Sequence, residues 1–169
     1  MTTNNPSFDL RPVTLDDAGA IAEIYNYYVL NTTVSFELVP LTVATMRDNV
    51  EAISSSYPYF VAVSGGKVIG YCCAHRWKPR PAYCHTFEVT IYLAPNCRHG
   101  GVGTALMQRL IAACRDIKDC HALIACVTAE NEESKAFHTK MGFTQVSQFT
   151  QVGYKFGRWI GVLDMEMLL

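Results

Sequence analysis

Residues 91–107 read IYLAPNCRHGGVGTALM, and this stretch decides the fold and indicates where a ligand binds. An apolar strand ends near Leu93, three glycines carry the chain through a turn, and apolar residues at helical spacing follow from Leu106. Such a turn leaves backbone N–H groups unpaired at the start of a helix, where the helix dipole also favours negative charge. Because glycine lets an anion approach the backbone closely, the stretch predicts an anion-binding turn. The alternative is a glycine-rich connection with no ligand.

Two other phosphate-binding loops are excluded by their spacing. A Walker A loop requires Gly-Lys followed by Ser or Thr, and the chain contains no such tripeptide. A dinucleotide fingerprint requires a third glycine three residues after Gly103, where this chain has Leu106.

Composition predicts a globular protein of one domain over residues 1–169, with a flexible polar start at residues 1–7. Half of the residues are hydrophobic, 17% are charged and the formal net charge is −1, so neither nucleic acid nor an anionic membrane is indicated as a partner. No apolar run approaches the roughly 20 residues of a membrane-spanning helix, and the N-terminus lacks the pattern of a signal peptide. We therefore expect a cytoplasmic protein.

The seven cysteines are odd in number, and no two have the spacing C-x-x-C. Most lie in apolar runs, as Cys126 does, so we interpret them as free thiols that pack as small core residues in a reducing compartment. The five histidines form neither H-x-x-x-H nor H-E-x-x-H, and no metal is expected.

The order of elements predicts an α+β fold on a largely antiparallel sheet, because several strands follow one another directly. Helices are predicted from residue 14, over 42–55, after the glycine turn and over 131–140. Strands are predicted over 8–12, 59–63, 68–77, 83–93, 122–127, 144–152 and 156–168.

The spacing Arg98-x-x-Gly101-x-Gly103 resembles the pyrophosphate loop of the GNAT superfamily of N-acetyltransferases. The resemblance covers nearly the whole chain and is greatest to the phosphinothricin and methionine sulfone/sulfoximine N-acetyltransferase branch, with matching segments at 77–78, 86–93 and 151–159. It implies a GNAT fold: a central mixed, mostly antiparallel sheet of about seven strands, splayed at the coenzyme site and flanked by about four helices.

The resemblance also implies that acetyl-CoA is the cosubstrate. The backbone of Ile91, Tyr92 and Leu93 would pair with the pantetheine like an additional strand, on an edge opened by the splay from 122–127. Asn131 and Ser134 would reach the coenzyme from the following helix. The pyrophosphate would be held by the turn and the helix start, that is, by Arg98, His99, Gly100, Gly101, Val102, Gly103 and Thr104.

Glu88 is the candidate general base. Acetyl transfer to an amine requires loss of a proton from an ammonium group with a pKa of about 8, which a carboxylate can accept directly or through water. Glu88 lies in an apolar strand just before the coenzyme segment, where partial burial would raise its pKa. The alternative is a solvent-facing glutamate on a half-exposed strand.

His138 is the second catalytic candidate. Many GNAT members have a Tyr at this position of the short helix, and the histidine agrees with the phosphinothricin branch. It would protonate the departing thiolate or orient the amine; the alternative is a helix-surface histidine bonded to a neighbour.

The acceptor pocket is predicted from position. A free amino acid carries a carboxylate that Lys78 or Arg80 would bind, unless Lys155 or Arg158 does so across a dimer interface. Three further residues are candidates for the rest of the pocket: Phe36, Trp77 and Tyr83. An aromatic surface near the C-terminus predicts a homodimer; it comprises Tyr154, Phe156 and Trp159.

The resemblance therefore predicts an acetyl-CoA-dependent acyltransferase that acts on the α-amine of a small amino acid or analogue such as phosphinothricin, methionine sulfone or methionine sulfoximine. Two alternatives stay open. One is acetylation of a protein N-terminus or another small amine, and the other is a non-catalytic acyl-CoA-binding module.

Overall fold

The computed structural model describes residues 7–97 and 100–169. These residues form an α+β fold in which eight strands make one sheet, flanked by four α-helices within the described ranges. The helices are α1 (Ala18–Asn31), α2 (Val43–Ser54), α3 (Val102–Arg115) and α4 (Glu132–Lys140). The strands are β1 (Asp9–Pro12), β2 (Tyr59–Ser64), β3 (Lys67–Arg76), β4 (Thr86–Leu93), β5 (Ala122–Thr128), β6 (Thr144–Gln145), β7 (Phe149–Lys155) and β8 (Arg158–Leu168).

The strand order is β1-β2-β3-β4-β5-β8, and β6 and β7 pair with β8 on its other side. All neighbouring strands are antiparallel except β4 and β5, which are parallel. This one parallel pair follows from the connection through α3, because parallel strands require a long crossover. The predicted, mostly antiparallel mixed sheet is confirmed.

The parallel pair is very short. In the described part of the chain, β4 and β5 pair only at Thr86–Ala122, Phe87–Leu123 and Glu88–Ile124. Beyond Glu88, β4 continues along β3 as far as Leu93, and β5 continues along β8 as far as Thr128. The two strands therefore diverge on the carboxyl side of Glu88, and the predicted splay is present.

Each face of the sheet has its own hydrophobic core. On one face, α3 buries Leu106, Met107 and Leu110 against strand residues that include Phe87 and Leu123. On the other face, the buried residues of α1 and α2 pack against strand residues of β2 and β3; this cluster includes Ile21, Met46, Val50, Val61 and Tyr71. These helix residues recur at spacings of three and four, as a helix with one apolar face requires. None of the described helices combines the length and the apolar content that crossing a bilayer would need.

Two strand boundaries differ from the sequence prediction. The strand predicted from residue 83 begins at Thr86, because Pro81–Tyr83 forms a 3₁₀ turn closed by hydrogen bonds to Arg80 and Pro81 carbonyls. The strand predicted over 144–152 is split, because the N–H groups of Val146 and Ser147 both donate to the Asp164 carbonyl (2.9 and 3.4 Å). The split gives eight strands in place of about seven.

The predicted flexible start, residues 1–7, lies outside the described residues except for Ser7. The Ser7 carbonyl accepts a hydrogen bond from Ser64 Oγ (2.9 Å).

Candidate active site

A cavity of about 790 Å³ occupies the gap between β4 and β5. Its wall combines α1 and the loop after it with β4, the glycine turn, β5 and α4. This volume lies in the range of small-molecule and cofactor sites. The splay therefore brings elements that are far apart in sequence to one site.

The edge of β4 that faces the gap carries backbone groups of alternate residues. The carbonyl of His85 accepts from the N–H of His121 on the β5 side (2.8 Å), and the N–H of Ala94 donates to Ile69 on the β3 side (2.9 Å). Because backbone direction alternates along a strand, Val89, Ile91 and Leu93 direct their N–H and C=O groups toward the gap. Except for the Leu93 carbonyl, which accepts from Tyr28, these groups form an open edge of the kind that the resemblance implies.

Tyr92 differs from its predicted role at this edge. By the same alternation its backbone groups point toward β3, opposite Tyr71. Its ring contacts the rings of Tyr25, Tyr28 and Tyr71 at centroid distances of 5.3, 5.1 and 5.7 Å. The Tyr28 hydroxyl also donates to the Leu93 carbonyl (2.6 Å). Tyr92 therefore fixes the end of β4 against α1.

The glycine turn leads directly into α3. Gly100 and Gly101 have φ angles of 91° and 81°, which only glycine adopts without strain, and Gly101 is the N-cap residue. The first N–H groups of α3 have no partner within the helix, and they lie at the positive end of its dipole. Gly103 and Thr104 belong to the first helical turn and line the cavity.

Three other residues are predicted at this turn. The side chain of Val102 is buried in the core. Arg98 and His99 lie outside the described residues.

The start of α4 closes the gap from the β5 side. Asn131 is the N-cap residue, and its Oδ1 accepts a hydrogen bond from the N–H of Ser134 (3.1 Å). Both residues line the cavity, and their contact with the coenzyme stays a prediction.

Glu88 stands where β4 and β5 part. It lines the cavity, pairs with His75 on β3 and is half-buried, so the solvent-facing alternative does not describe it. Burial raises the pKa of Glu88, the positive charge available at His75 opposes this, and the negative charge of Asp164 adds to it. A carboxylate with raised proton affinity is placed at the apex of the gap.

His138 is buried, with 4% of its surface exposed, although it lies on the predicted helix. Its Nδ1 is 2.9 Å from the Ser134 carbonyl oxygen, which can only accept, so Nδ1 carries the proton. The ring lies edge-on to Phe137 and Phe143 (5.2 and 5.4 Å). Burial lowers the pKa of His138, and the hydrogen bond to Ser134 opposes this.

The predicted acceptor residues are not brought together. Phe36 lines the cavity, and its ring covers Gly153, where a Cβ would collide with it. The structure places four others outside the cavity wall, in the loop after β3: Trp77, Lys78, Arg80 and Tyr83. Within this cluster, Lys78 Nζ lies 4.0 Å from the Trp77 ring centroid, and the Trp77 and Tyr83 centroids are 5.2 Å apart.

The two alternative cations hold the loop after α1. Arg158 forms a bidentate pair with Glu130 (2.7 and 2.6 Å), and Glu130 also accepts from Thr33 (2.5 Å). Lys155 is buried, and its ammonium group donates to the Ser35 carbonyl (2.7 Å). Both cations therefore position the loop that carries Phe36.

Sequence reasoning missed several residues of the wall. Tyr25 and Ser35 line the cavity and are hydrogen-bonded to each other (2.8 Å). Cys126 was predicted to be buried, and the structure shows it exposed toward the cavity, because β5 has lost β4 as its neighbour at that point. Cys126 is two residues after Ile124 on β5 and therefore lies on the same face. Its exposure could have been predicted only if the sequence showed that the pairing with β4 ends at Ile124.

The chain matches the Acetyltransferase (GNAT) family over residues 19–143. It is 39% identical over 159 residues to phosphinothricin N-acetyltransferase of Alcaligenes faecalis, covering 93% of this chain and 80% of that protein. It is 32% identical over 165 residues to L-methionine sulfoximine/L-methionine sulfone acetyltransferase of Pseudomonas paraeruginosa, covering 96% and 95%. A phosphinothricin acetyltransferase from Sinorhizobium meliloti, solved in complex with AcCoA, superposes with a TM-score of 0.91 at 34% identity and covers 96% of this chain and 88% of its own.

Proposed function

Because the chain belongs to the GNAT family of acetyltransferases, we propose that it transfers the acetyl group of acetyl-CoA to the α-amine of a small amino acid or analogue of the phosphinothricin or methionine sulfone/sulfoximine type. The observation that carries this proposal is the gap itself. An open β4 edge, the amino end of α3 and a half-buried carboxylate meet in one cavity. The named activities of the relatives support the acceptor class.

The residues on both sides of the gap suit the chemistry of coenzyme A. The pantetheine contains amide groups, which match the free N–H and C=O groups of Val89 and Ile91 and the N–H of Leu93. The N–H groups at the start of α3 are donors for the pyrophosphate, with Gly100 and Gly101 allowing close approach. Asn131 and Ser134 complete the coenzyme side. Arg98 and His99 stay predictions.

Glu88 acts as the base in the proposed reaction. An α-ammonium group with a pKa of about 8 is mostly protonated at neutral pH, and Glu88 accepts its proton directly or through water. The amine then attacks the thioester carbon; a C–N bond forms, the C–S bond breaks, and the coenzyme leaves as a thiolate. The nitrogen loses its second proton as the tetrahedral intermediate collapses, and the thiolate, with a thiol pKa of about 8.5, can take up that proton through solvent.

His138 has a different role from that of an acid. Its proton is on Nδ1 and is donated to the Ser134 carbonyl. A neutral imidazole with a lowered pKa is a poor proton donor, whereas its Nε2 can accept an N–H from the amine. His138 therefore orients the acceptor or the α4 backbone.

We also propose one domain over residues 1–169, a cytoplasmic location and a homodimer. Exposed aromatic residues on β7, on β8 and in the turn between them support the dimer: Tyr154, Phe156 and Trp159 are 56%, 58% and 58% exposed. Light scattering with Trp159→Ser tests it, because a monomeric variant is expected. A wild-type protein that is already monomeric contradicts the proposal.

A thiol-release assay with acetyl-CoA and a panel of amines tests the function. The panel contains phosphinothricin, methionine sulfone, methionine sulfoximine, protein amino acids and a peptide with a free N-terminus. Faster turnover of amino-acid analogues than of the peptide is expected. Preference for the peptide would support N-terminal acetylation, and coenzyme binding without thiol release from any amine would support a binding module.

A further inference from the structure

The hydroxyl of Thr128 lacks a hydrogen-bond partner. Thr128 is the last residue of β5 and is 6% exposed, and its Oγ1 is shielded from solvent with no partner among the described residues. Within residues 7–97 and 100–169 it is the one buried side-chain nitrogen or oxygen atom in this situation. An unpaired buried hydroxyl costs free energy, so folded proteins rarely contain one without a reason. A molecule bound beside Thr128 would supply the missing partner.

Thr128 lies on the face of the sheet that carries Glu88. Glu88 is opposite Ile124, and Thr128, four residues further along β5, projects from the same face. Val127 points the other way, into the core that contains α3. Thr128 lines the cavity, and so does Val162, which is opposite it on β8. The residue with the unpaired hydroxyl therefore belongs to the cavity wall on the side of the candidate base.

This side of the cavity suits the acceptor better than the coenzyme. The start of α3, where the proposed pyrophosphate contacts lie, packs on the opposite face of the sheet, in the core that contains Val127. On the Glu88 face the cavity is lined by α1 and the loop after it, through Tyr25, Ser35 and Phe36. An acceptor that brings its amine to Glu88 occupies this face.

The separation of the two residues suits one extended amino acid. Thr128 is four residues beyond the partner of Glu88, and a strand rises about 3.3 Å per residue, so the two positions are about 13 Å apart along the strands. Hydrogen bonds of about 2.9 Å at both ends leave about 7 Å for the ligand. That length fits an amino acid whose side chain ends in oxygen atoms. Rotation about χ1 exchanges the positions of Oγ1 and the methyl group of Thr128, so the hydroxyl can face a ligand in the cavity.

We propose that Thr128 is a specificity-determining residue: its hydroxyl donates a hydrogen bond to an oxygen atom at the end of the acceptor side chain, while the α-amine of the same acceptor lies at Glu88. The favoured acceptors are then amino acids that end in a sulfone, sulfoximine, phosphinate or similar oxygen-bearing group. This inference rests on the proposed function and specifies which side chains that site selects.

The test compares methionine sulfone with methionine as acceptors, because the two differ only in the sulfone oxygens. Thr128→Val keeps the branched shape and removes the hydroxyl. Its kcat/KM for methionine sulfone should fall about 3–10-fold, and that for methionine should change by less than about twofold. Thr128→Ser keeps a hydroxyl and should retain most of the preference. Thr86→Val, on β4 and outside the cavity wall, is the matched control and should leave both values unchanged.

Thermal unfolding of Thr128→Val provides a second, independent measurement. Replacing an unpaired buried hydroxyl by a methyl group removes a desolvation cost. In the absence of an acceptor, the variant should therefore unfold at the same or a higher temperature than the wild-type protein. A lower unfolding temperature would mean that the hydroxyl already has a partner within the protein, which contradicts the proposal.

Four kinetic or binding results would overturn the proposal. They are an equal loss for both acceptors in Thr128→Val, no loss for either, a wild-type preference for methionine, and weaker coenzyme A binding in calorimetry with an unchanged acceptor preference. No loss for either acceptor is the result expected if only water meets the hydroxyl. If Thr128→Val does not fold, Thr128→Ala gives the same comparison. A wild-type protein that acetylates no amino acid or analogue contradicts the proposed function itself, whereas preserved acetylation with an unchanged preference contradicts this inference alone.

Discussion

Glu88→Gln should slow acetyl transfer strongly while leaving the protein as stable as before. The amide keeps the shape of the side chain and removes the proton acceptor at the point where β4 and β5 part. Loss of a general base typically costs about 10²–10⁴-fold in rate, which is about 2.7–5.4 kcal/mol in the barrier. With an amine pKa of about 8, the neutral fraction rises from about one tenth at pH 7 to about nine tenths at pH 9, so the variant should recover about tenfold between these pH values.

The stability of Glu88→Gln distinguishes a chemical role from a structural one. Burial raises the pKa of Glu88 in the folded protein, so the ionised carboxylate disfavours folding above that pKa. The amide has no such cost, and thermal unfolding at pH 8 should occur at the same or a higher temperature.

The assay is steady-state thiol release at pH 6–9 together with calorimetric coenzyme binding, with Glu166→Gln on β8 as the control. The affinity for acetyl-CoA should be unchanged, because the proposed coenzyme contacts come from backbone groups and not from the Glu88 side chain. A raised acceptor KM with normal kcat would make Glu88 a binding residue for the ammonium group. Wild-type kinetics at every pH would refute the base mechanism.

Three further predictions concern other parts of the site. Gly101→Glu should weaken coenzyme A binding in calorimetry by more than tenfold, or about 1.4 kcal/mol. The control Gly101→Ala has the same strain at the φ of 81° but no added charge, so it should lose less affinity. Equal affinities in the folded variants would place the pyrophosphate elsewhere. His138→Gln should lower kcat by less than about tenfold and keep the basic limb of the pH profile, and loss of that limb would identify His138 as the acid. The hydrogen bonds from Arg158 and Thr33 lower the pKa of Glu130 from 4.5 to about 2. The ionised Glu130 therefore stabilises the folded protein above about pH 4.5, and this stabilisation is lost as the pH falls toward 2. Acid unfolding of Glu130→Gln should therefore be less steep in that window, more clearly at low salt, and identical acid titrations would contradict this role.

The sequence allowed prediction of those parts of the site that depend on local spacing. The glycine turn, the apolar face of α3 and the short helix from about Asn131 follow from residue type and helical period, and the position of Glu88 follows from its place in β4. Each of these features is encoded within about a dozen neighbouring residues.

Features that depend on where separate elements meet could not be predicted in this way. The apolar run around Cys126 indicated a buried strand, but the exposure of this residue depends on how far β4 and β5 stay paired. Trp77 and Tyr83 were placed by proximity in sequence, whereas the conformation of the loop after β3 decides which way they face. The tautomer of His138 depends on a carbonyl four residues away.

The three residue pairs that join β4 to β5 also have a mechanical consequence. They leave the sheet as two blocks, β1–β4 and β5–β8, connected by a short hinge-like seam. A pantetheine that pairs with the β4 edge would act as an additional strand between the two blocks. Bound coenzyme would therefore stabilise both blocks together and make their unfolding more cooperative. Amide hydrogen exchange at Val89 and Ile91 should then slow when coenzyme binds, and the two blocks should open together instead of separately. On the proposed binding mode, a bound coenzyme would complete the sheet that the chain alone leaves divided.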